Sequence, residues 1–394
     1  MVFDIGSASC IGEFNYCFCR GEDIMPKVSI VLPTYNGERW LKESLESIIN
    51  QTYVDWELII VDDCSDDNTL DIAKHYQNEY ENIKVIHNNV NKKLPASLNA
   101  GFRAAIGEYL TWTSDDNMYE PTAIEEMVRY LDENSDKMMV CTAMKDVDEN
   151  GNLVAERREY SDELMYYNDF VGACFMYRRT VLDEVGEYDE NLFCVEDYEY
   201  WFRILVKYES IGHIDEILYI DRLHGKSLST TKRDYVQLQL AKMRKKYLDV
   251  ILYRLSGRPD LLTSMYFEIM ATGEEVDSVR DKFCEKVPEI NMVVNDIKKH
   301  TRPCIIYGAG DWGGKAHVLL GKETAYFADT SPMKVGNRKE GLEILSVEDM
   351  VSKIDKFDIV VAVSYRSVYE LLYKLRENEV KKCYVYIDGW SVSQ

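Results

Sequence analysis

The sequence predicts an α/β protein in three parts. A mainly parallel sheet with helices on both faces covers residues 26–231, a helical region covers 232–299, and a small α/β unit covers 300–394. Three observations carry this reading. Strand-like and helix-like segments alternate from Lys27 to about Ile220. The stretch from 232 to 299 shows no strand-like alternation. A strand, a Gly-rich turn and a helix then begin a new unit at Thr301. The length agrees, because 394 residues exceed one ordinary domain and a 46% hydrophobic fraction supplies large cores.

Each element follows in order. "KVSIVLP" is a β-rich run that stops at Pro33, and "GERWLKESLESIINQ" has helical spacing through Trp40, Leu41, Leu45, Ile48 and Ile49. "WELIIVDD" is a buried-strand pattern, "NTLDIAKHYQNEY" a helix and "IKVIHN" a third strand. "LPASLNAGFRAAI" is helical and leads into "EYLTWTSDD". This β-α-β-α-β-α-β order gives a mainly parallel sheet, whose ligands bind where strand C-termini open out. Three of the four strands end in polar clusters, Thr34/Tyr35/Asn36, Asp62/Asp63 and Asp115/Asp116, which should meet at one edge. Residues 1–25 lack the basic start and long apolar block of a signal peptide and read as a disordered leader.

The net charge of −23 excludes a nucleic-acid partner, and it allows a phosphorylated ligand only with a divalent cation or a local basic cluster. Ten scattered cysteines with no C-x-x-C pair read as reduced, cytosolic thiols and not as a zinc site. "KRDYVQLQLAKMRKKYLDVILYRL" is basic and amphipathic. It packs on a neighbouring domain or lies on a membrane surface.

The paired carboxylates carry the functional signal. Asp115/Asp116 alone would read as solvated loop residues or the N-cap of the helix in "EPTAIEEMVRYLDEN". Asp62/Asp63 ends another strand, however, and Glu196/Asp197 precedes the helix "YEYWFRILVKY". "YIDRLHGKSLS" adds Arg222, His224 and Ser227. Oxygen ligands with one imidazole suit Mn²⁺ or Mg²⁺ bound together with a diphosphate.

At these residues the chain resembles glycosyltransferase family 2, with the GT-A fold. The resemblance spans about residues 26–230, through "VSIVLPTYNGERWLKESLESIINQTY", "ELIIVDDCSDDNT", "LPASLNAGFRAAIGEYLTWTSDDN" and "VEDYEYWFR". It implies a hexosyltransferase-type enzyme that moves a sugar, with inversion, from a nucleotide-diphosphate donor. The acceptor would be a hydroxyl of a glycan or lipid-linked sugar in surface polysaccharide synthesis. UDP is the nucleotide that frequency within the family favours. By resemblance Pro33, Thr34 and Tyr35 line the base pocket, Asp63 accepts from the base, and Asp115 binds ribose or sugar hydroxyls. Asp116 ligates the metal, His224 is a metal or diphosphate ligand, and Asp197 is the general base, with Glu196 as its alternative. Ser114-Asp115-Asp116-Asn117 departs from the Asp-x-Asp of many relatives, which leaves the division of tasks between the two Asp residues open. The Gln/Arg-x-x-Arg-Trp motif of processive synthases is absent, which implies single additions. The expected location is cytoplasmic, with "KMRKK" (242–246) as a peripheral contact at the inner membrane face.

Gly308-Ala309-Gly310-Asp311-Trp312-Gly313 follows a strand and opens a helix, and Asp329 ends the next strand. Gly308, Gly310, Gly313 and Asp329 thus form a second candidate nucleotide site, in a unit resembling the small Rossmann-like domains of sugar-modifying enzymes. It contains no Tyr-x-x-x-Lys pair, so a binding or scaffolding role is expected there. Two other readings stay open: a nucleotide-sugar oxidoreductase or epimerase driven by this Gly-rich site, and a non-catalytic nucleotide-sugar-binding scaffold.

Overall fold

The computed structural model describes residues 25–227, 231–273 and 276–387, so the leader expected over 1–25 lies almost wholly outside the described residues. The first sheet begins with β1 (Val28–Thr34), α1 (Leu41–Ile49), β2 (Trp56–Asp62), α2 (Thr69–Glu79), β3 (Ile83–His87), α3 (Leu94–Ala104) and β4 (Tyr109–Trp112). β1 lies parallel between β2 and β4, and β3 runs parallel beside β2. Every residue of β1, β2 and β4 is buried, as continuous apolar runs in a two-sided parallel sheet require. The helix expected from Gly37 begins only at Leu41. Gly37 and its neighbours form a turn instead, whose Gly37 carbonyl accepts from Trp40 and Leu41 N–H.

The second half of this sheet carries β5 (Met118–Tyr119), α4 (Ala123–Glu133), β6 (Met139–Val147), β7 (Leu153–Arg157), β8 (Phe175–Arg178), α5 (Arg179–Val185), α6 (Glu196–Tyr208) and β9 (Gly212–Arg222). The strand order is β3-β2-β1-β4-β8-β6-β9-β5, with β7 on β6. β8 enters antiparallel between β4 and β6. Aromatic packing fixes α6 against β4: Trp112 Nε1 donates to Tyr188 OH at 3.1 Å, Tyr188 stacks on Tyr200 at 4.2 Å, and Phe175 meets Trp201 at 4.1 Å. Glu196 and Asp197, expected just ahead of a helix, lie within the first turn of α6.

Among the described residues four α-helices follow: Arg233–Lys246, Leu248–Arg254, Pro259–Ala271 and Asp277–Lys286. The single basic amphipathic helix expected over 232–255 divides at Tyr247. Its "KMRKK" segment is largely a packing seam. Arg244 is buried, with its guanidinium donating to Glu268 and, at 2.9 Å, to Tyr167 O; Lys246 pairs with Asp189 at 2.9 Å and Glu199 at 3.0 Å. Packing on a neighbouring unit is therefore the reading this stretch satisfies. No helix among the described residues is long and apolar enough to cross a membrane.

The second sheet contains β10 (Val293–Val294), β11 (Cys304–Tyr307), β12 (Thr324–Ala328), β13 (Arg338–Lys339), β14 (Leu342–Leu345), β15 (Asp358–Val361) and β16 (Cys383–Val385). Its order is β10-β16-β15-β11-β12-β14-β13, parallel except at β13. β10 corrects the expectation that 232–299 holds no strand. Val293 and Val294 are too short a run to show periodicity, and they form a strand only because β16 offers a free edge. Buried side chains form one continuous apolar cluster from the first sheet, through the helices, to the second sheet.

The Arg244 seam generates a test. Arg244→Ala leaves Glu268 without its buried partner and should cost about 3 kcal/mol. Lys242→Ala, on the exposed side of the same helix, should stay within roughly 0.5 kcal/mol. Thermal denaturation of the two variants beside wild type checks both values.

Candidate active site

Strand register assembles the first cluster. β1 and β4 pair Val31 with Trp112, and the same register carried three residues onward sets Thr34 beside Asp115. Thr34 Oγ1 donates to Asp115 Oδ2. The turn after β1 closes over this pair so tightly that a Cβ on residue 37 would overlap Asp115 Oδ2, which requires glycine there. Burial, and then the adjacent charge of Asp116, push the Asp115 carboxyl up to about 7.

Asp116 turns the other way. Its Oδ2 lies 2.8 Å from His224 Nε2, just past the end of β9. Lys226 N–H donates to His224 Nδ1 at 3.2 Å, which leaves Nε2 as the ring nitrogen facing Asp116. Arg222 braces the junction: its N–H donates to Asn117 Oδ1 at 2.8 Å, its Nε to Asp116 O at 3.2 Å and its Nη2 to Glu43 at 2.6 Å. Trp40 packs on the His224 ring at 4.5 Å between centroids. An open cavity of about 520 Å³ adjoins this corner, lined by Asp148, Glu149, Asn150, Leu223, His224 and Gly225.

The Asp62/Asp63 cluster lies at the same edge. Asp63 N–H donates to Thr34 O at 2.9 Å, Asn36 N–H to Ser65 Oγ at 3.0 Å and Gly37 N–H to Thr69 Oγ1 at 2.8 Å, lacing the two loops together. The buried Asp63 carboxylate accepts from Asn88 Nδ2 at 2.9 Å and from the backbone N–H of Lys92 and Lys93, each at 2.8 Å. It thereby fixes the 88–93 loop. Asp62 accepts from His87 at 2.7 Å. Pro33 is buried in the sheet, whereas the Tyr35 ring is 51% exposed at its rim.

A third carboxylate group was only half legible. Glu196 is 2% exposed and its Oε2 has no hydrogen-bond partner. Burial and then Asp197 raise its carboxyl to about 8. Burial likewise raises Asp197, which accepts from Tyr198 N–H at 2.7 Å. Asp169 joins them as a residue that sequence reasoning missed. It accepts from Val171 N–H at 2.9 Å, and burial followed by the Asp197 charge raises it to about 7. A single Asp in "YYNDFVGA" gives no pairing signal, so only the fold reveals it. Arg39, Trp40 and Glu149 were missed for the same reason.

The Gly-rich turn of the second sheet is internally satisfied. Gly308 has φ of 116°, and a Cβ on Gly313 would overlap Gly308 O, so the helix Asp311–Leu320 starts hard against β11. Asp329 accepts from Ala309 N–H and from Lys334 Nζ, each at 2.9 Å, and Lys339 Nζ donates to Gly310 O at 2.9 Å. The structure thus brings Gly308, Gly310, Gly313 and Asp329 together. Among the described residues, no group of three or more His, Cys, Asp or Glu side chains could hold a metal ion.

Comparison with known proteins is consistent with this geometry. The family model "Glycosyl transferase family 2" matches residues 29–186. A glycosyltransferase of Methanocaldococcus jannaschii is 32% identical over 207 residues, which are 50% of this chain and 71% of that relative. The chain belongs to glycosyltransferase family 2. A Rickettsia typhi glycosyltransferase is 30% identical over 218 residues, 52% of this chain and 67% of its own. The Bacillus subtilis protein EpsE, also named as a glycosyltransferase, is 44% identical over 127 residues, but the match spans only 32% of this chain and 46% of EpsE. Among solved structures, Staphylococcus aureus TarS with UDP-GlcNAc aligns at TM-score 0.53 and 20% identity, over 67% of this chain and 83% of that one. Mannosyltransferase PcManGT from Pyrobaculum calidifontis aligns at TM-score 0.51 and 16% identity, over 64% and 74%. At these identities the likeness establishes the GT-A fold. The protein is a glycosyltransferase with a further α/β sheet unit at its C-terminal end.

The buried Glu196 predicts a pH effect on stability. Its folded carboxyl titrates above the unfolded value, so the native state holds a proton that the unfolded chain releases. That contribution is present below about pH 4.5 and is lost as pH rises towards 8. Between pH 5 and 9 the wild-type melting midpoint should therefore fall further than that of Glu196→Gln. Calorimetry across that range reads the difference.

Proposed function

We propose that the protein is an inverting, metal-dependent transferase that moves a sugar from a nucleoside-diphosphate donor, UDP-linked, to a hydroxyl of a glycan or lipid-linked acceptor. One observation carries this: strands β4 and β9 bring Asp116 and His224 to 2.8 Å of each other beside an open cavity. An oxygen and an imidazole nitrogen form a donor set suited to Mn²⁺ or Mg²⁺, and two protein ligands leave positions for diphosphate oxygens. A divalent cation held there supplies neutralising charge for the departing diphosphate. The solved neighbours support a donor of this class, since TarS was crystallised with UDP-GlcNAc and PcManGT with GDP-Man and Mn²⁺.

In this reading Tyr35, with Pro33 and Thr34 behind it, borders the base pocket. Asp63, already holding the 88–93 loop, accepts from the base, and Asp115 meets ribose or sugar hydroxyls. Asp115 suits that task because a carboxyl near 7 both donates to and accepts from hydroxyls at neutral pH. Asp197 takes the proton of the acceptor hydroxyl, and its burial-raised carboxyl is a stronger base than an exposed one. Residues 26–231 are then the transferase unit, 232–299 the connecting helices and 300–394 an accessory unit. The accessory unit's Gly-rich turn serves binding or scaffolding. A lipid-carried surface-polysaccharide intermediate as acceptor sets the enzyme to work at the cytoplasmic membrane face.

Calorimetric titration of UDP and GDP, with and without Mn²⁺, tests the donor site. Metal-dependent binding of one nucleotide, lost in Asp116→Ala, is the expected result. Binding that ignores both metal and Asp116 would overturn the assignment. For the base, Asp197→Asn should keep donor affinity within about threefold and lose transfer by at least about 100-fold.

A further inference from the structure

The loop between β1 and α1 places a guanidinium at the mouth of the site that no role above uses. Arg39 Nη2 bonds Glu149 at 2.8 Å, with 55% and 41% of the two side chains exposed. The Arg39 guanidinium also lies over the Trp40 ring at 4.1 Å. That ring is the one packed on His224, whose Nε2 bonds Asp116. Arg39 is therefore one aromatic ring away from the candidate metal corner. Glu149 lines the adjoining cavity together with His224.

Both partners are presented by stiff loops. Asp148 accepts from the backbone N–H of Asn150 and Asn152, each at 2.9 Å, which holds the 148–152 turn that carries Glu149. On the other side, Glu38 N–H bonds Asp67 at 3.3 Å and Glu38 Oε2 accepts from Asn68 Nδ2 at 2.8 Å, fixing the residue before Arg39. The ion pair thus joins two anchored loops beside the cavity that Glu149 lines.

The geometry points to Arg39 as a residue that binds the terminal phosphate of the nucleoside-diphosphate donor, held in reserve by Glu149 until the donor arrives. This inference rests on the transferase reading above and adds a phosphate ligand to it. Three physical facts support it. A donor diphosphate brings negative charge into a corner that already holds Asp116, Asp148 and Glu149, so a cation there has a defined task. A half-exposed ion pair in high dielectric is weak and exchanges readily. Guanidinium binds phosphate oxygens bidentately, which a single carboxylate contact at the cleft mouth does not match. Arg222 is not available for this, being buried and committed to Glu43, Asp116 O and Met118.

The two partners then have opposite effects on nucleotide binding, which a merely structural ion pair would not produce. With Mn²⁺ present, UDP and UMP are titrated calorimetrically into wild type, Arg39→Gln, Glu149→Gln and the double variant, with melting curves run alongside. Arg39→Gln should weaken UDP about tenfold or more while changing UMP less than about twofold. Glu149→Gln should tighten UDP several-fold by freeing Arg39, and the double variant should follow Arg39→Gln. Equal shifts in the same direction for both single variants, no shift in either, or equal loss of UDP and UMP in Arg39→Gln would overturn the assignment. Asp116→Ala separates the two levels of inference. If that variant loses UDP and Arg39→Gln does not, only the role of Arg39 falls. If wild type and Asp116→Ala bind UDP alike, the metal-site reading falls and takes the role of Arg39 with it.

Discussion

Two adjacent carboxylates at the end of β4 repel each other, and the surrounding edge is arranged to draw them apart. Thr34 takes Asp115 towards β1, while His224 takes Asp116 towards β9. Other parts of that edge follow from this division. The turn at Gly37 must be free of a side chain to cover Asp115, and Arg222 must be buried to hold the backbone of Asp116 and Asn117. Arg222 and Lys226 come from the same segment as His224, so β9 delivers three of the groups that define the corner. An acidic protein of net charge −23 thereby keeps two carboxyl groups in fixed, separate settings, one buried against a hydroxyl and raised to about 7, the other beside an imidazole.

Much of this was legible in the chain, because parallel strands are apolar runs and their ends are polar. "KVSIVLP", "WELIIVDD" and "EYLTWTSDD" mark both the strand and the edge it reaches, and the register between β1 and β4 does the rest. What stayed hidden depended on tertiary neighbours. Val293 and Val294 are too few residues to show a period and become a strand only at the free edge of β16. Asp169 stands alone in its loop and acquires meaning only from its proximity to Asp197. Arg39 and Glu149 lie more than one hundred residues apart, and no spacing rule links them. The basic "KMRKK" stretch was ambiguous for a different reason: sequence shows that Arg244 is charged but not that Glu268 waits beneath it.

The carboxylates of α6 illustrate how one position satisfies two requirements. Acidic residues in a first turn complement the positive end of a helix, which favours Glu196 and Asp197 whatever their chemistry. Burial acts against that preference by raising their proton affinity, and the unbonded Oε2 of Glu196 shows that the protein does not fully solvate the charge. A helix start that both attracts and desolvates acid is a suitable mount for the base proposed at Asp197.

The apolar cluster that runs unbroken from the first sheet to the second has a consequence for how the molecule behaves as a whole. Domains joined only by a linker melt separately and move past each other, whereas units that share an interior must lose it together. The C-terminal sheet is therefore a structural dependency of the catalytic one. Cutting the chain between the first sheet and the helices that follow would expose the apolar side chains they now share.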